Sequence, residues 1–469
     1  MPTQDVANAR SADAGADVST RMADSVIYRH LWTVPDLDRL FEERDRLQRW
    51  LDILVALAKA QASLGIIPTK SAEVITEYAD AGRLDLEGIA TATRHTGHST
   101  IGLIHELERI IPAPAREHVY YGATVQDVTD TWFGLVLRDV GTLVGDKLWA
   151  LEGSLLQLAA VHRDTIMVGR THGQPGAAIT FGFKVAGWAD ELRRHQDRLR
   201  EGRRRWAVGQ LAGAVGVLGF YESDRLELRR RFCARLGLDD PGISWLTSRD
   251  RIAEFGHVLA LVCATLARIG GEVYELTRPE IAELREGHGP DGVSSITMPH
   301  KRNPEGSEHL ATLSRLVRAH SGLLLEAMDQ QHERDGRGWK TEWVSLPEVC
   351  ELTVTALDTA LSVIGGLEVD PVAMARNLSA GGENLQSEQI LAALSALQGK
   401  HAAQALLAEV VTTGSAGAQG LVATVAARAG LEPAEVAAWA RRPATGSAGA
   451  MVDLVLDRAF TARFEKEEP

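Results

Sequence analysis

The run DRIAEFGHVLALVCATLARIGGEVYEL, from Asp250 to Leu276, carries Ile252, Phe255, Leu259, Val262, Leu266, Ile269, Val273 and Leu276 at alternating steps of three and four. That spacing lays one unbroken apolar stripe along a single helix, a heptad seam. Leu310, Leu313, Val317, Leu324 and Ala327 extend the pattern farther along the chain. Helices of this length outrun a globular domain roughly 40 Å across, so the seam predicts partner helices from other subunits. No run alternates with the period of two that a half-buried strand requires. The fold class expected is all-α.

Between the two seams lies GVSSITMPHKRNPEGSE, Gly292 to Glu308. Upstream, Gly287, Gly289, Pro290 and Gly292 keep the backbone out of a helix. Ser294, Ser295, Lys301, Arg302 and Asn303 then follow closely. Asn303-Pro304-Glu305 reads as a helix start, with an N-cap acceptor, proline at the first helical position and an acid in the first turn. Hydroxyl, ammonium and amide groups would converge on a helix N-terminus, where a dicarboxylate could bind. From spacing alone, a surface loop with a good cap reads equally well.

Composition narrows the partners. The chain has 469 residues, with 50 Lys and Arg against 63 Asp and Glu, a formal net charge of −13. That length suggests two or three domains with ample core. The acidity argues against nonspecific nucleic-acid or membrane-surface binding, so an anionic substrate must meet a local cluster of cations and dipoles. Cys233, Cys263 and Cys350 are far apart with no CxxC spacing, which fits a reducing cytoplasm. Asp5, Asp13 and Asp17 interrupt any signal-peptide pattern. The longest apolar run, Val258 to Ala267, is too short to span a bilayer. No zinc spacing, P-loop or dinucleotide fingerprint occurs, and no cofactor or metal is expected.

In order, the chain reads as a disordered tail (1–24), an N-terminal helical domain (25–112), a central long-helix domain (113–365) with the loop 286–304, and a helical C-terminal domain (366–469). Helices are expected over Asp36–Leu64, Thr131–Val161 and Pro347–Ile364. His195 falls on an apolar helical stripe and reads as a packed core histidine rather than a ligand.

Four separated stretches resemble the fumarase/aspartase superfamily. Ser295, Met298, Pro299, Lys301, Asn303, Pro304 and Glu308 fit the signature pattern GSSxMPxKxNPxxxE, with Ile296 in place of the second serine. Tyr120 to Thr131, YYGATVQDVTDT, is similar to HxGxTSxDxxDT, with Tyr120 for histidine and Val125 for serine. Gly169 to Gln174 matches GRTHxQ. The Gly-rich Gln210 to Gly219 resembles the GAVGT turn. His98-Ser99 stands where adenylosuccinate lyases carry a His-Asp pair. The stretch FGFKVAGW (181–188) and the WxxEWxxLPE pattern from Trp339 to Glu348 are similar to carboxymuconate cycloisomerases.

The resemblance implies a three-domain all-α fold whose central bundle forms a tetrameric helical core, with active sites shared between subunits. It implies Ser295 as base, with His172 paired to Glu308. Thr124, Gln126, His98, Ser99, Thr171, Gln210, Lys301, Asn303 and Arg334 would bind a small dicarboxylate. A serine hydroxyl becomes a base only when cations and N–H groups stabilise its alkoxide. Taking a proton beside a carboxylate creates a dianion that preorganised donors must hold. The reaction expected is β-elimination of an N-substituted succinate to fumarate, by a carbon–nitrogen lyase. Nitrosuccinate is the substrate favoured, because nitrite leaves as a stable anion without a strong acid. Adenylosuccinate lyase, 3-carboxymuconate cycloisomerase and a non-enzymatic structural homologue are the alternatives.

Overall fold

The computed structural model describes residues 22–287, 297–298, 300–412, 420–440 and 444–467. The elements run α1 (Pro35–Phe41), α2 (Glu43–Ser63), α3 (Thr69–Tyr78), α4 (Leu86–Thr96), α5 (Ile101–Ile110), α6 (Val125–Val161), β1 (Ile166–Thr171), β2 (Gln174–Thr180), α7 (Phe181–Trp206), α8 (Arg225–Arg235), α9 (Asp250–Thr277), β3 (Leu284–Arg285), α10 (Glu305–Glu326), α11 (Gly336–Gly365), β4 (Glu368–Val369), α12 (Pro371–Ala380), α13 (Ser387–Gln398), α14 (Lys400–Thr412), α15 (Leu421–Ala429), α16 (Pro433–Trp439) and α17 (Ala448–Glu467). Two compact units share them: 1–147, 196–264 and 312–358 form the first, and 148–195, 265–311 and 359–469 the second. The divisions fall within helices.

The all-α expectation holds, with local exceptions. The seam residues Ile252 through Leu276 are 0–2% exposed, as are Leu310, Leu313, Val317, Leu324 and Ala327. They are therefore buried within the single chain, and the seam itself does not demand a partner subunit. The exposed apolar residues on the long helices lie elsewhere, at Leu261, Leu316, Leu323 and Val344. Helix α9 is long and apolar enough to cross a membrane by length and composition, yet 67% of its apolar window is packed inside the protein.

Other boundaries move. The helix expected over Asp36–Leu64 is split, because Glu42 adopts an extended ψ of 142° between α1 and α2. Helix α6 starts before Thr131, at Val125. Helix α11 starts before Pro347 and encloses that proline, which forgoes one backbone N–H. The absence of strands is corrected by two small antiparallel pairs, β1–β2 and β3–β4. The first is a hairpin turning at His172-Gly173, with φ 53° and 76°. Positive φ at both central residues is the type I′ geometry, whose twist matches flanking strands. His195 is buried, with Nε2 2.8 Å from Thr265 Oγ1. The three cysteines are free and buried.

Local chemistry explains several ends. Asp85 caps α4 by accepting from Gly88 N, and Gly97 ends the helix at φ 68°. Asp370 caps α12, accepting from Val372 N and Ala373 N. In the second unit, α13 to α16 close over Ile390, Leu394, Ala403, Val410, Leu421, Val425 and Val436.

Candidate active site

In the first unit, the turn entering α6 presents Thr124. Tyr120 holds φ 57° and Gly122 φ 76°. A Cβ at Gly122 would come within 2.5 Å of Phe220 Cδ1 and 2.6 Å of Tyr221 Oη, so only glycine fits. The turn is fixed by Asp127, a buried carboxylate. It accepts from Thr124 N at 3.0 Å, Ala212 N at 2.8 Å and Gly213 N at 3.1 Å. Burial pushes its carboxyl up to about 7, against the pull of these N–H groups and of Arg334. Arg334 donates from Nη1 to Thr124 Oγ1 at 2.9 Å and from Nη2 to Gly213 O at 3.4 Å, while its Nε has no partner. Among the described residues it makes no ion pair.

Gln126 and Gln210 lie behind this turn, at 1% and 0% exposure. Gln126 Nε2 donates to Leu246 O at 2.7 Å, and Gln210 Oε1 accepts from Trp245 N at 3.3 Å. Each keeps one amide atom without a partner, Gln126 Oε1 and Gln210 Nε2. The structure thus gathers Thr124, Gln126, Gln210 and Arg334 around Asp127. His98 and Ser99 precede Thr100, whose side chain lies against Tyr120 of the turn. His98 is exposed, and half-buried Ser99 lines a cavity of about 680 Å³ walled by Trp50, Trp132, Phe133 and Trp343.

Deeper in the same unit, Arg249 is fully buried between two carboxylates. Nη1 and Nη2 meet Asp130 at 2.8 and 3.0 Å, and Nε and Nη2 meet Glu342 at 2.9 and 2.5 Å. Burial opposes the Arg249 charge, but the two carboxylates outweigh it and push the pKa up. Trp339 Nε1 also donates to Asp130, at 3.1 Å. The WxxEW pattern and the second aspartate of the YYGATVQDVTDT stretch are thereby joined in the core.

In the second unit, Thr171 and His172 stand exposed at the β1–β2 turn. Arg170, one residue into the strand, forms a bidentate pair with buried Glu283 at 2.9 and 2.7 Å. Lys301 and Arg302 are exposed, and Asn303 is half-buried before α10. Ser295 lies outside the described residues. The expected helix start is corrected: α10 begins at Glu305, and Glu308 N donates to Pro304 O at 3.0 Å. The N–H groups of Gly306 and Ser307 in the first turn meet a carboxylate from farther up the chain. It is that of Glu286, accepting from Gly306 N at 2.8 Å and from Ser307 N at 3.0 Å. Those N–H groups are not open to a dicarboxylate. Among the described residues of one chain, no hydrogen bond or ion pair joins Glu308 to His172.

Asp127, Glu283 and Glu286 were not among the site residues expected from sequence. Asp127 had a signal, since Thr-x-x-Asp is a side-chain-to-backbone turn pattern. Glu286 had none, because its partners lie 20 and 21 residues away. Strained backbone also marks the motif stretches. Tyr120, His172 and Leu218 are three of the six described non-glycine residues with positive φ, and such strain concentrates at functional sites.

The chain is similar to several known proteins. The family described as "Lyase" matches residues 30–318. An N-acetyl-S-(2-succino)cysteine lyase of Dickeya dadantii is 37% identical over 394 residues, 84% of this chain and 86% of that protein. An adenylosuccinate lyase of Methanocaldococcus jannaschii is 36% identical over 359 residues, 76% and 78% of the two chains. The crystal structure of the 3-carboxy-cis,cis-muconate lactonizing enzyme of Pseudomonas putida superposes with a TM-score of 0.82 at 34% identity, covering 92% of this chain and 98% of that one. Both branches met in the sequence motifs are thus represented, and the chain belongs to the lyase family of the fumarase/aspartase superfamily.

Proposed function

We propose that this enzyme eliminates a substituent from a 2-substituted succinate and releases fumarate. The observation that carries the reading is Arg334. Its guanidinium is held against Thr124 by a hydroxyl and a carbonyl, with no ion pair among the described residues. That leaves its charge for a substrate carboxylate. Ser295 takes the proton from the carbon beside the other carboxylate, and Lys301 and Asn303 hold the resulting dianion. The electron pair then returns to form the double bond and expels the substituent. Thr171 and His172 serve the leaving group. Glu308 reaches His172 only if it comes from another subunit.

The leaving group departs as a stabilised anion. Val125 and Ser99 remove a donor and an acid that would otherwise assist a poor leaving group. An S-(2-succino) thiol fits, because a thiolate needs no acid and two similar proteins bear the name N-acetyl-S-(2-succino)cysteine lyase. Nitrosuccinate, a carbon–nitrogen substrate, fits for the same chemical reason. The enzyme acts as a homotetramer with shared sites, its exposed Leu261, Leu316, Leu323 and Val344 supplying contact surface. Its free buried cysteines suit the cytoplasm.

The test offers N-acetyl-S-(2-succino)cysteine, nitrosuccinate, adenylosuccinate, argininosuccinate, aspartate and carboxymuconate at equal concentration, following fumarate. Turnover of either of the first two is expected. Turnover of adenylosuccinate alone would reverse the leaving-group argument, lactone formation from carboxymuconate would make the enzyme a cycloisomerase, and no turnover of any would favour a structural role. Sedimentation should show a tetramer, and mixing Ser295→Ala with His172→Ala subunits should restore activity above that of either variant alone.

A further inference from the structure

We propose, resting on the lyase reading, that Glu283 and Glu286 are positioning residues that fix the two catalytic stretches of the second unit from one short segment. The segment follows α9, turns through Ala282 at φ 51°, and is held by the β3–β4 pairing. Glu283 and Glu286 are both buried, at 0% and 7% exposure. They point to different motifs.

Glu283 grips Arg170 with both oxygens, and Oε1 also accepts from Asn377 Nδ2 at 2.8 Å. Arg170 sits at the register irregularity of the hairpin, between Gly169 and Arg170. A bulge there re-aims the side chains that follow, and those are Thr171 and His172. The bidentate pair fixes the strand's direction as it enters the left-handed turn at His172.

Glu286 grips the start of α10. Besides the two backbone N–H groups, it accepts from Ser307 Oγ at 2.8 Å. A carboxylate at a helix N-terminus satisfies unpaired donors and meets the positive end of the helix dipole. It closes the chain on itself, joining residue 286 to residues 306 and 307. Close packing reinforces the joint. A Cβ on Gly287 would lie 2.2 Å from Gly366 O, and one on Gly306 would lie 2.6 Å from Val363 Cγ2 and 3.0 Å from Glu286 Oε1. Lys301 and Asn303 lead directly into this helix start, so Glu286 sets where their side chains arrive. Neither glutamate needs to touch substrate. A displacement near 1 Å in a catalytic group costs on the order of 10²-fold in rate.

The experiment compares wild type with Glu286→Gln and Ser307→Ala in the full-length protein. Gln supplies one acceptor oxygen and a repelling NH₂ to the N–H groups, while Ser307→Ala removes one bond only. Two readouts are taken. One is kcat and KM for N-acetyl-S-(2-succino)cysteine and nitrosuccinate. The other is the rate of tryptic cleavage after Lys301 and Arg302, measured by mass spectrometry well below the unfolding temperature. Expected for Glu286→Gln is a roughly 10- to 100-fold fall in kcat with KM changed less than about 3-fold, and cleavage at those two bonds faster by about 5-fold or more while other sites are unchanged. Ser307→Ala should move both in the same direction by a few-fold, and this variant decides the matter should Glu286→Gln not fold. Unchanged kcat and cleavage would overturn the proposal, as would activity loss that only tracks global unfolding. A wild type inactive on both substrates, with site-selective faster cleavage in the variants, would retain the anchoring and discard the lyase reading.

Discussion

Glu342 and Glu283 are both 0% exposed and both face an arginine, yet the two regions behave differently. Arg249, the partner of Glu342, is itself fully buried and shared with Asp130. Arg170, the partner of Glu283, keeps 20% of its side chain in solvent and sits one residue from Thr171. One cluster is closed on all sides and can only hold helices together. The other ends at the exposed Thr171–His172 turn. A buried ion pair therefore says nothing of function until its open end is found. Removing Glu342 leaves Arg249 with Asp130 and takes two charge-assisted hydrogen bonds out of the core, which costs about 3–5 kcal/mol. Glu342→Ala should lose that much unfolding free energy in urea, and its residual activity should follow the folded fraction. A loss under about 1 kcal/mol would mean that water reaches Arg249.

The open pair should respond in another way. Arg170→Ala leaves Glu283 with Asn377 as a donor and with solvent access along the vacated side chain. Charge-assisted hydrogen bonds of this kind contribute about 1.5–3 kcal/mol. Stability should fall by about that amount, less than for Glu342→Ala, while kcat falls beyond what unfolding explains. Equal ratios of activity loss to stability loss in the two variants would erase the distinction.

How much of this was legible in the sequence depends on the range over which each feature is built. The α9 seam is periodic and local, and every seam position is buried. Periodicity reveals an apolar face but not which helices cover it. The hairpin at His172 was missed because Ile166 to Thr180 contains neither clean alternation nor an Asn-Gly turn, and His-Gly is an unusual pair for that geometry. Pro347 was read as a helix start, but tertiary packing carries α11 through it. Resemblance brought the motif residues into view, including Thr124, His172 and Lys301. It did not separate Glu342, which belongs to the core, from Arg334, which faces the turn. Glu286 was invisible because a cap delivered from 20 residues upstream leaves no local pattern.

A third cluster, around Asp127, lies between these extremes and can be tested by pH. Burial raises its carboxyl to about 7 in the folded protein, whereas the unfolded value is near that of a free aspartate, about 3.9. The folded state then binds the proton more tightly. Its contribution is complete below about pH 4 and is lost as pH rises through 7. The slope is at most about 1.4 kcal/mol per pH unit for one proton. Urea unfolding between pH 4 and 8 should show wild type losing stability relative to Asp127→Asn as pH rises. Parallel curves would place the Asp127 titration outside this window and make its three N–H bonds, rather than burial, the dominant influence.

The smallest effect expected is at Thr124. Its hydroxyl accepts from Arg334 Nη1 at 2.9 Å, while its backbone N–H is already held by Asp127. Thr124→Val keeps the branched shape and the turn, and removes only the acceptor that steadies the guanidinium. A single hydrogen bond of this type contributes about 0.5–1.5 kcal/mol. Stability should therefore change little, because Arg334 retains Gly213 O and solvent. If Arg334 receives a substrate carboxylate, the change should appear as a KM raised by roughly 2- to 10-fold with kcat nearly constant, since the lost contact orients a group that binds substrate and transition state alike. If kcat falls instead while KM holds, Thr124 and Arg334 act on the charge that develops during proton removal. The dianion would then be held on this side, and the division of labour between Arg334 and the Lys301–Asn303 stretch would be reversed.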